Sequence, residues 1–395
     1  MADPTSFDVL ILGGGVIGSS IAFFLAEQET FDGTVAVIEK DPTYVDSSTA
    51  RSVGGIRQQF STPENIEISK FGAAFFKSVP ERLAVGDHRP EVSFQEAGYL
   101  LLASDAGLPI LEQNHAVQVA HGAEVALLTP SDLQDRFPWL HTEDLAGGAL
   151  GLRDEGWIDP FSLLMAFKHK AVSLGVEFLQ GEVTGIARRG TRVTGVELRD
   201  GRRISGGHLV DAAGPRAAEI AVMAGIKDLP VASRKRLVFT FQCREELPGC
   251  PLVVDPGGLY FRPEGDKFVC GISPAADRDP DCHDFRVDHR LFEEVLWPDL
   301  AHRVPAFDAV EQGTAWAGHY AVNVRDQNAI LGPHPEVGSF YFANGFSGHG
   351  LQQAPAVGRA LCELITFGSY RTLDLSRFGF ERFAAGRRVE ERNVI

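Results

Sequence analysis

The stretch FDVLILGGGVIG, from Phe7 to Gly18, decides the fold of this 395-residue chain. Its first half is an apolar run of strand length, and its second half opens an apolar segment of helical length that continues to Glu27. A run rich in β-branched residues, Thr34–Ile38, follows and ends at Glu39. A strand, a glycine turn, a helix and a second strand within about 30 residues predict a βαβ unit, and hence a parallel sheet covered by helices.

The glycines of this turn have the spacing Gly13-x-Gly15-x-x-Gly18, which in this context is typical of a dinucleotide-binding fold. The first glycine permits a tight turn, the second lets a pyrophosphate approach the backbone, and the third lets helix and strand pack closely. The helix that starts at Val16 and Ile17 offers unpaired N–H groups to the phosphates. The turn therefore predicts a phosphate-binding site.

Glu39 stands where a carboxylate accepts hydrogen bonds from an adenosine ribose. The loop Asp46–Ala50 and the segment Gly54–Arg57 lie where flavoproteins of this type pass the chain under the pyrophosphate and the flavin. The run Leu209–Gly214 is expected to close back on the first glycine turn. These features favour FAD over NAD as the dinucleotide.

The rest of the chain has helical ends and a middle rich in short strands, which indicates two interleaved domains. The dipeptide Asp200-Gly201 after the strand pattern Val193–Leu198 predicts a hairpin with a type I′ turn. A buried strand at Phe340–Ala343 is expected to lead through a glycine-rich turn into a long helix from about Gly350 to Phe367.

Acidic residues number 53 and basic ones 37, so the net charge is −16. This charge argues against nucleic acid and against an anionic membrane surface as partners, and it requires a local cation to bind any anionic substrate. The segment Val9–Ala26 lacks charge over 18 residues, but its four glycines and the acidic residues before it favour a buried strand and helix over a membrane span. We expect no stable membrane insertion and a cytoplasmic location.

The chain has five cysteines without CxxC spacing, so we expect free thiols and no metal site. Hydrolase chemistry is not supported either, because no Ser/His/Asp or Cys/His arrangement has a recognisable local context.

At this point the chain resembles the FAD-dependent D-amino-acid oxidase superfamily, in its glycine and sarcosine oxidase branch. Within it, the chain is most similar to a mitochondrial group implicated in the assembly of respiratory complex I. The superfamily motifs are Gly13–Gly18, Gly54–Arg57, Val210–Gly214, Ala315–Tyr320 and Gly345–Gly350, and the mitochondrial similarity lies in Ser52–Phe60, Pro63–Ile66 and Asn393–Ile395.

The resemblance implies an α/β fold, in which a Rossmann-type FAD-binding domain is interleaved with a mixed-sheet α+β substrate domain. We expect the FAD-binding domain at residues 1–80, 145–228 and 312–395, and the substrate domain at 81–144 and 229–311. The resemblance also implies that FAD is bound without a covalent link. In some family members a cysteine tethers the flavin, and here its neighbourhood is occupied by Gly318, His319 and Tyr320.

Arg57 matches the family arginine that pairs with the substrate carboxylate, and Gln352 stands where sarcosine oxidases place a second, lysine contact. The helix that follows Gly348 is expected to stabilise reduced flavin through its N-terminus. The candidate catalytic residues are Arg57, Tyr260, Arg262, His319, Tyr320 and Gln352. The candidate cofactor-binding residues are Gly13, Gly15, Val16, Ile17, Gly18, Glu39, Lys40, Ser47, Ser48, Thr49, Ser52, Gly54, Gly55, Val183, Ala213, Gly214, Phe346, Gly348, His349, Gly350, Leu351 and Gln352.

These residues predict an FAD-dependent amine oxidoreductase acting on a secondary, N-substituted amino acid such as sarcosine or iminodiacetate. Hydrolysis of the imine would give an amine and an oxo acid, and O2 is the expected acceptor, reduced to hydrogen peroxide. One alternative is a D-amino-acid or hydroxy-acid oxidoreductase. Another is a flavin-bearing assembly protein whose surface is its function.

Overall fold

The computed structural model describes residues 5–392, so the C-terminal Asn393–Ile395 similarity lies outside the described residues. The strands of this range are β1 (Ser6–Leu12), β2 (Val35–Glu39), β3 (Gly55–Ile56), β4 (Tyr99–Ala103), β5 (Val125–Leu128), β6 (Gly147–Gly151), β7 (Gly156–Trp157), β8 (Glu177–Gln180), β9 (Val183–Arg189), β10 (Arg192–Leu198), β11 (Arg203–Asp211), β12 (Val231–Gln242), β13 (Leu252–Val254), β14 (Leu259–Glu264), β15 (Lys267–Ile272), β16 (Glu311–Asn323), β17 (Ile330–Pro333) and β18 (Phe340–Asn344). The α-helices are α1 (Val16–Glu27), α2 (Pro63–Lys77), α3 (Val79–Arg82), α4 (Leu108–Ala120), α5 (Pro130–Arg136), α6 (Pro160–Ser173), α7 (Ala217–Met223), α8 (Trp297–Arg303), α9 (Gly350–Phe367) and α10 (Glu381–Ala384).

The first sheet has the strand order β8-β2-β1-β11-β18-β17, with β10 and β9 continuing from β11. Strands β8, β2, β1, β11 and β18 pair in parallel, and β17 is antiparallel to β18. The predicted α/β class with a parallel sheet is therefore confirmed. The chain leaves β1 toward β2 on one side and returns to β11 on the other, which places a topological switch point at the carboxyl end of β1.

The second sheet has the order β16-β12-β15-β14-β13-β4-β6-β5 and is mixed, because β13 pairs in parallel with β4. Two of its strands, β6 and β16, fall in ranges that we assigned from the sequence to the FAD-binding domain. Strand β16 lies antiparallel to β12, and β6 is hydrogen-bonded between β4 and β5. Local sequence pattern does not specify which strand a segment pairs with, so the domain boundaries stay a prediction.

Helices α1 and α9 bring two helix N-termini to one region of the molecule. Helix α1 is buried from Val16 to Leu25, because it is covered by the first sheet on one side and by other helices on the other. It packs closely on α9. A Cβ at Gly358 of α9 would lie only 2.2 Å from Ser20 Oγ of α1, so the glycine is what permits the contact. Both helices start beside the carboxyl end of β1, where the candidate site is found.

The hairpin between β10 and β11 forms where it was expected, but the predicted turn type is wrong. A type I′ turn needs positive φ at both central residues, and here only Gly201, at φ 87°, has it. The Gly201 N–H donates to the Leu198 carbonyl and the Leu198 N–H donates to the Arg202 carbonyl, which makes a three-residue loop.

Within residues 5–392, no helix has both the length and the apolar character that a membrane span requires.

Candidate active site and cofactor cavity

The glycine turn between β1 and α1 allows two close approaches. Gly13 has φ 103°. A Cβ at this position would lie 2.5 Å from the carbonyl oxygen of Ala212, the residue that follows β11. A Cβ at Gly18 would lie 2.0 Å from the Gly13 oxygen, so helix and turn are in direct contact. Gly15 is the N-cap of α1 without a side-chain cap. The helix N-terminus is thereby left open to a ligand.

A cavity of about 380 Å³ opens in front of this turn, a volume typical of small-molecule and cofactor sites. The predicted cofactor-binding residues that line it are Gly13, Gly15, Val16, Ile17, Glu39, Lys40, Ser47, Ser48, Thr49, Ser52, Ala213, Gly214, Phe346, Gly348, Gly350 and Leu351, and His319 and Tyr320 join them. Residues that line it without having been predicted are Asp41, Tyr44, Asp46, Ala212, Pro215, Arg216, His283, Phe285 and Ala321.

The end of this cavity at β2 is organised by Glu39. Its two carboxylate oxygens accept hydrogen bonds from the Gly14 and Asp41 N–H groups, at 2.8 and 2.9 Å. Next to it, Tyr44 is almost fully buried, and among the described residues its hydroxyl has no hydrogen-bond partner. Burial, with Glu39 and Asp41 nearby, raises the pKa of Tyr44, so the phenol stays neutral. No motif or periodicity pointed to Tyr44, which lies in a polar loop.

The loop from Ser47 to Ser52 crosses the middle of the cavity and is held at several points. Thr49 Oγ1 accepts the Val16 N–H at 3.2 Å, and Ser48 Oγ donates to the His319 carbonyl at 2.6 Å. The Trp316 indole donates to the Arg51 carbonyl at 3.0 Å. The loop is thus tied both to the start of α1 and to β16.

His319 lines the cavity from β16. Its Nε2 is buried and has no hydrogen-bond partner among the described residues, and burial lowers the pKa of the imidazole, so it is neutral. Phe285 packs edge-on against the ring at 4.6 Å between centroids. The segment that carries Phe285 and His283 was missed by sequence reasoning, because it has no regular pattern.

The donor set fits FAD. The start of α1, where Gly15 adds no side-chain cap, and the hydroxyl-bearing Ser47 to Thr49 suit a pyrophosphate, and the Glu39 carboxylate suits a ribose. The Tyr44 hydroxyl and His319 Nε2 are buried, have no hydrogen-bond partner among the described residues and belong to residues that line the cavity, so a polar ligand bound there could supply a partner for each.

A second, smaller cavity of about 60 Å³ adjoins the first, and the two share Ser52, Tyr320, Gly348 and Leu351. It contains three of the predicted catalytic residues besides Tyr320, namely Arg57, Tyr260 and Gln352. Its other lining residues are Val53, Gly55, Tyr99, Leu252 and His349. The structure therefore brings four of the six predicted catalytic residues to one small space beside the large cavity.

Arg57 is 3% exposed and forms one wall of this small cavity. One guanidinium nitrogen donates to the Gln59 carbonyl and another lies 3.1 Å from His349 Nε2. Burial and the Arg57 charge lower the pKa of His349, so the imidazole is neutral and accepts from the guanidinium. The Phe60 ring packs against the guanidinium at 4.1 Å. Arg57 is thus held in place at the wall of the small cavity.

Gln352 joins Arg57 from the first turn of α9. Its Oε1 accepts the Arg57 backbone N–H at 2.8 Å, which leaves its amide nitrogen as the donor available to a ligand. Tyr99, Tyr260 and Tyr320 complete the wall, and burial raises the pKa of each phenol above its ordinary value. Among the described residues that line the small cavity, Arg57 is therefore the one whose side chain is charged near pH 7.

Several predicted residues lie elsewhere. Arg262 lines neither cavity, because its Nε and Nη2 donate to the Val53 carbonyl at 3.1 and 2.6 Å, and it orders the loop instead of meeting a substrate. Gly54 packs against the main chain of Ile158, and Val183 begins β9 outside both cavities. Arg325 is exposed and lines neither cavity.

A buried carboxyl group that sequence reasoning missed lies behind Arg57. Glu155 is 1% exposed, and its oxygens accept the Gln58 N–H at 2.6 Å and the Gln59 side-chain amide at 2.8 Å. Since the Gln59 carbonyl accepts from Arg57, Glu155 positions the arginine through one intermediate residue. Burial raises the pKa of Glu155 to about 7.

We expect Glu155 to make stability depend on pH. Between the ordinary value of 4.5 and about 7 the folded protein retains the Glu155 proton while the unfolded chain has lost it, so the free energy of unfolding falls as pH rises through this window. The contribution is up to about 3 kcal/mol. Denaturant unfolding at a series of pH values measures this effect. The free energy of unfolding of the native protein, minus that of Glu155→Gln, should fall over this range. The exposed Glu81→Gln is the control, and a native-minus-Glu155→Gln difference that stays constant would contradict the assignment.

Comparison with known proteins supports the motif-based resemblance. A family model described as FAD dependent oxidoreductase (DAO) matches residues 8–364. FAD-dependent oxidoreductase domain-containing protein 1 of Xenopus laevis is 43% identical over 427 residues, covering 99% of this chain and 85% of that protein. Sarcosine oxidase subunit beta of Rhizobium meliloti is 26% identical, covering 98% of this chain and 90% of that protein.

A solved structure, L-proline dehydrogenase from P. horikoshii, is similar to the whole fold, with a TM-score of 0.86 and 29% identity over 98% of this chain and 100% of that one. The glycine turn, the cavity and the family match agree, and the chain belongs to the FAD dependent oxidoreductase (DAO) family.

Proposed function

We propose that this protein oxidises a small secondary amino acid at the bond between the amine nitrogen and a carbon next to the carboxylate. The observation that carries the proposal is the wall formed by Arg57 and Gln352 in a small cavity that adjoins the large one. The proposal is supported by two relatives named for sarcosine and L-proline, both of which are secondary amino acids.

The residues of the small cavity would bind and orient the substrate. The Arg57 guanidinium pairs with the carboxylate, and the Gln352 amide nitrogen donates a further hydrogen bond. FAD bound in the large cavity would supply the chemistry by accepting a hydride from the substrate carbon. No Asp, Glu or Lys is among the described residues that line the small cavity. The site therefore favours a substrate whose amine has already lost its proton.

The products follow from the bond that is oxidised. Loss of a hydride from carbon and a proton from nitrogen gives an imine, and water converts it to an amine and an oxo acid. The small cavity has room for only a few water-sized groups, which favours sarcosine, iminodiacetate or L-proline over long or aromatic side chains. We propose O2 as the acceptor, which would yield hydrogen peroxide.

Anaerobic mixing with candidate substrates tests this function. Secondary amino acids should bleach the visible flavin absorbance within one turnover, and admission of air should restore the colour with formation of peroxide. Bleaching by only D-amino acids or hydroxy acids would favour those substrates instead. No bleaching by any of them would favour an assembly protein in which flavin stabilises the fold. Reoxidation by an artificial acceptor but not by air would make the protein a dehydrogenase.

We also propose that the FAD is bound without a covalent link. No cysteine is among the described residues that line the large cavity, although His283 and His319 are. Acid precipitation of the holoprotein should therefore leave the yellow colour in the supernatant. A coloured pellet from native protein that turns colourless in His319→Ala would instead identify a histidyl linkage.

A further inference from the structure

A cluster of metal-ligating side chains lies in the region of the second sheet, outside both cavities. It consists of His141 and Asp144, in the loop between α5 and β6, and His302 near the end of α8. We call these three residues the His/Asp cluster. It is the one grouping of three such side chains that lie close enough to share an ion within residues 5–392. The side chains are 29%, 44% and 54% exposed, so an ion could reach them from solvent.

The spacing of the cluster is close to that of a tetrahedral metal site. Ligands at about 2.1 Å from a tetrahedral ion lie about 3.4 Å from one another. In the structure, His302 Nε2 lies 3.2 Å from Asp144 Oδ2, and His141 Nδ1 lies 3.8 Å from Asp144 Oδ1. One ligand atom from each of the three residues lies within 4.8 Å of the others. Small side-chain rotations would therefore complete the geometry.

The His141 imidazole supplies an independent sign of a missing partner. Its Nδ1 is buried and has no hydrogen-bond partner among the described residues, although it points toward Asp144. A buried polar atom without a partner is costly, and an ion between the imidazole and the carboxylate would satisfy it.

A neighbouring arginine holds two of the candidate ligands in position. Arg303 is 1% exposed and donates to both oxygens of Asp144 at 2.8 Å, while its carbonyl accepts the His141 N–H at 2.9 Å. This outer contact orients the carboxylate and leaves its remaining lone pairs for an ion.

The charge around the cluster also favours a cation. Asp144 is accompanied by Glu143, whose Oε2 lies 3.8 Å from His141 Nε2. Asp255 accepts a hydrogen bond from Arg303, and Asp299 interacts electrostatically with Asp255 and with the second imidazole. Four carboxylates and one guanidinium therefore lie at or next to the cluster.

We propose that the His/Asp cluster binds one Zn²⁺ through the two imidazoles and the Asp144 carboxylate, with water as the fourth ligand. Two nitrogens and one oxygen suit Zn²⁺ and the neighbouring transition metals, whereas Ca²⁺ and Mg²⁺ prefer oxygen ligands. The ion would link the loop before β6 to helix α8. These two segments lie far apart in the chain, so the ion would stabilise their contact beside the second sheet. The site is structural and independent of the proposed oxidation.

Zinc titration of the full FAD-loaded chain tests the proposal, with Zn²⁺ alone as the probe and a chromophoric chelator as competitor. We expect one equivalent to bind and to raise the melting temperature by mass action. Since loss of an outer-shell partner alone costs about 10–100-fold in metal affinity, His141→Ala and His302→Ala should each weaken binding by at least about tenfold. The exposed His88→Ala should bind as the native protein does.

Cobalt distinguishes this site from binding by the five thiols. Co²⁺ in the cluster should show visible d–d bands without the charge-transfer band of a thiolate ligand, and the d–d bands should be lost in both histidine variants. The proposal is overturned if no stoichiometric binding occurs, if the bands carry thiolate character, or if His302→Ala binds like native protein while folding normally. The cluster would then be an ion pair only.

Discussion

Replacing Arg57 by alanine should raise the Michaelis constant for a carboxylate-bearing amine by at least about tenfold. A charge-assisted hydrogen bond contributes about 1.5–3 kcal/mol, and each 1.4 kcal/mol is a factor of about ten in affinity. Arg57 is the one charged side chain among the described residues that line the small cavity, so nothing in that wall would replace it. Steady-state kinetics on the best substrate, with FAD content measured in parallel, gives the result.

Two variants make the Arg57 experiment specific. Arg57→Lys keeps the charge but not the planar fork, and should recover only part of the affinity. Arg325→Ala removes an exposed arginine and should leave the kinetics unchanged. An unchanged Michaelis constant in Arg57→Ala would show that the carboxylate is held elsewhere. Arg57 would then serve only the packing around Gln59 and His349.

A valine at position 348 should weaken FAD binding by about tenfold or more. Gly348 has φ 97°, which strains a β-branched residue, and a Cβ there would lie 2.5 Å from the Tyr320 ring. Both Gly348 and Tyr320 line both cavities, so the ring or the turn must move into space that the cofactor needs. The measurement is the affinity of apoprotein for FAD, with circular dichroism to establish that the fold is retained.

Gly368 supplies the matched control for Gly348. It ends α9 at φ 71°, and a Cβ there meets nothing within 4 Å. Gly368→Val therefore carries backbone strain without the collision, and should lose stability but not FAD affinity. Gly350→Val should have an intermediate effect, because the nearest atom to a Cβ there is Phe346 Cβ at 3.3 Å. Equal FAD affinity in all three variants would contradict a role for the Gly348 turn in cofactor binding.

Two sequence-based expectations about the site met different outcomes for one physical reason. Arg57 and Arg262 are both arginines in β-rich surroundings, and both were named as candidate catalytic residues. The structure places Arg57 at the small cavity and directs Arg262 to the Val53 carbonyl. An arginine is long enough to reach several partners, and only the packed neighbours decide which of them it meets.

The sequence by itself determined the features that depend on local backbone chemistry and local periodicity. Gly13, Gly15 and Gly18 predicted the turn, because their spacing reflects backbone conformation and close approach within a few residues. The spacing of apolar residues predicted helices α1 and α9, with starts at Val16 and Gly350. These are the two helix N-termini that meet at the cavity.

Only the tertiary structure decided which distant segments come together. The contact of Gln352 with Arg57 joins positions 295 residues apart, and Glu155 reaches Gln58 across 97 residues. The pairing of β6 and β16 with the second sheet and the meeting of His141 with His302 are of the same kind. Local pattern records whether a side chain faces a core, but not which partner it finds there. That choice is made when sheets and helices pack, and burial then sets the charge state of groups such as Glu155.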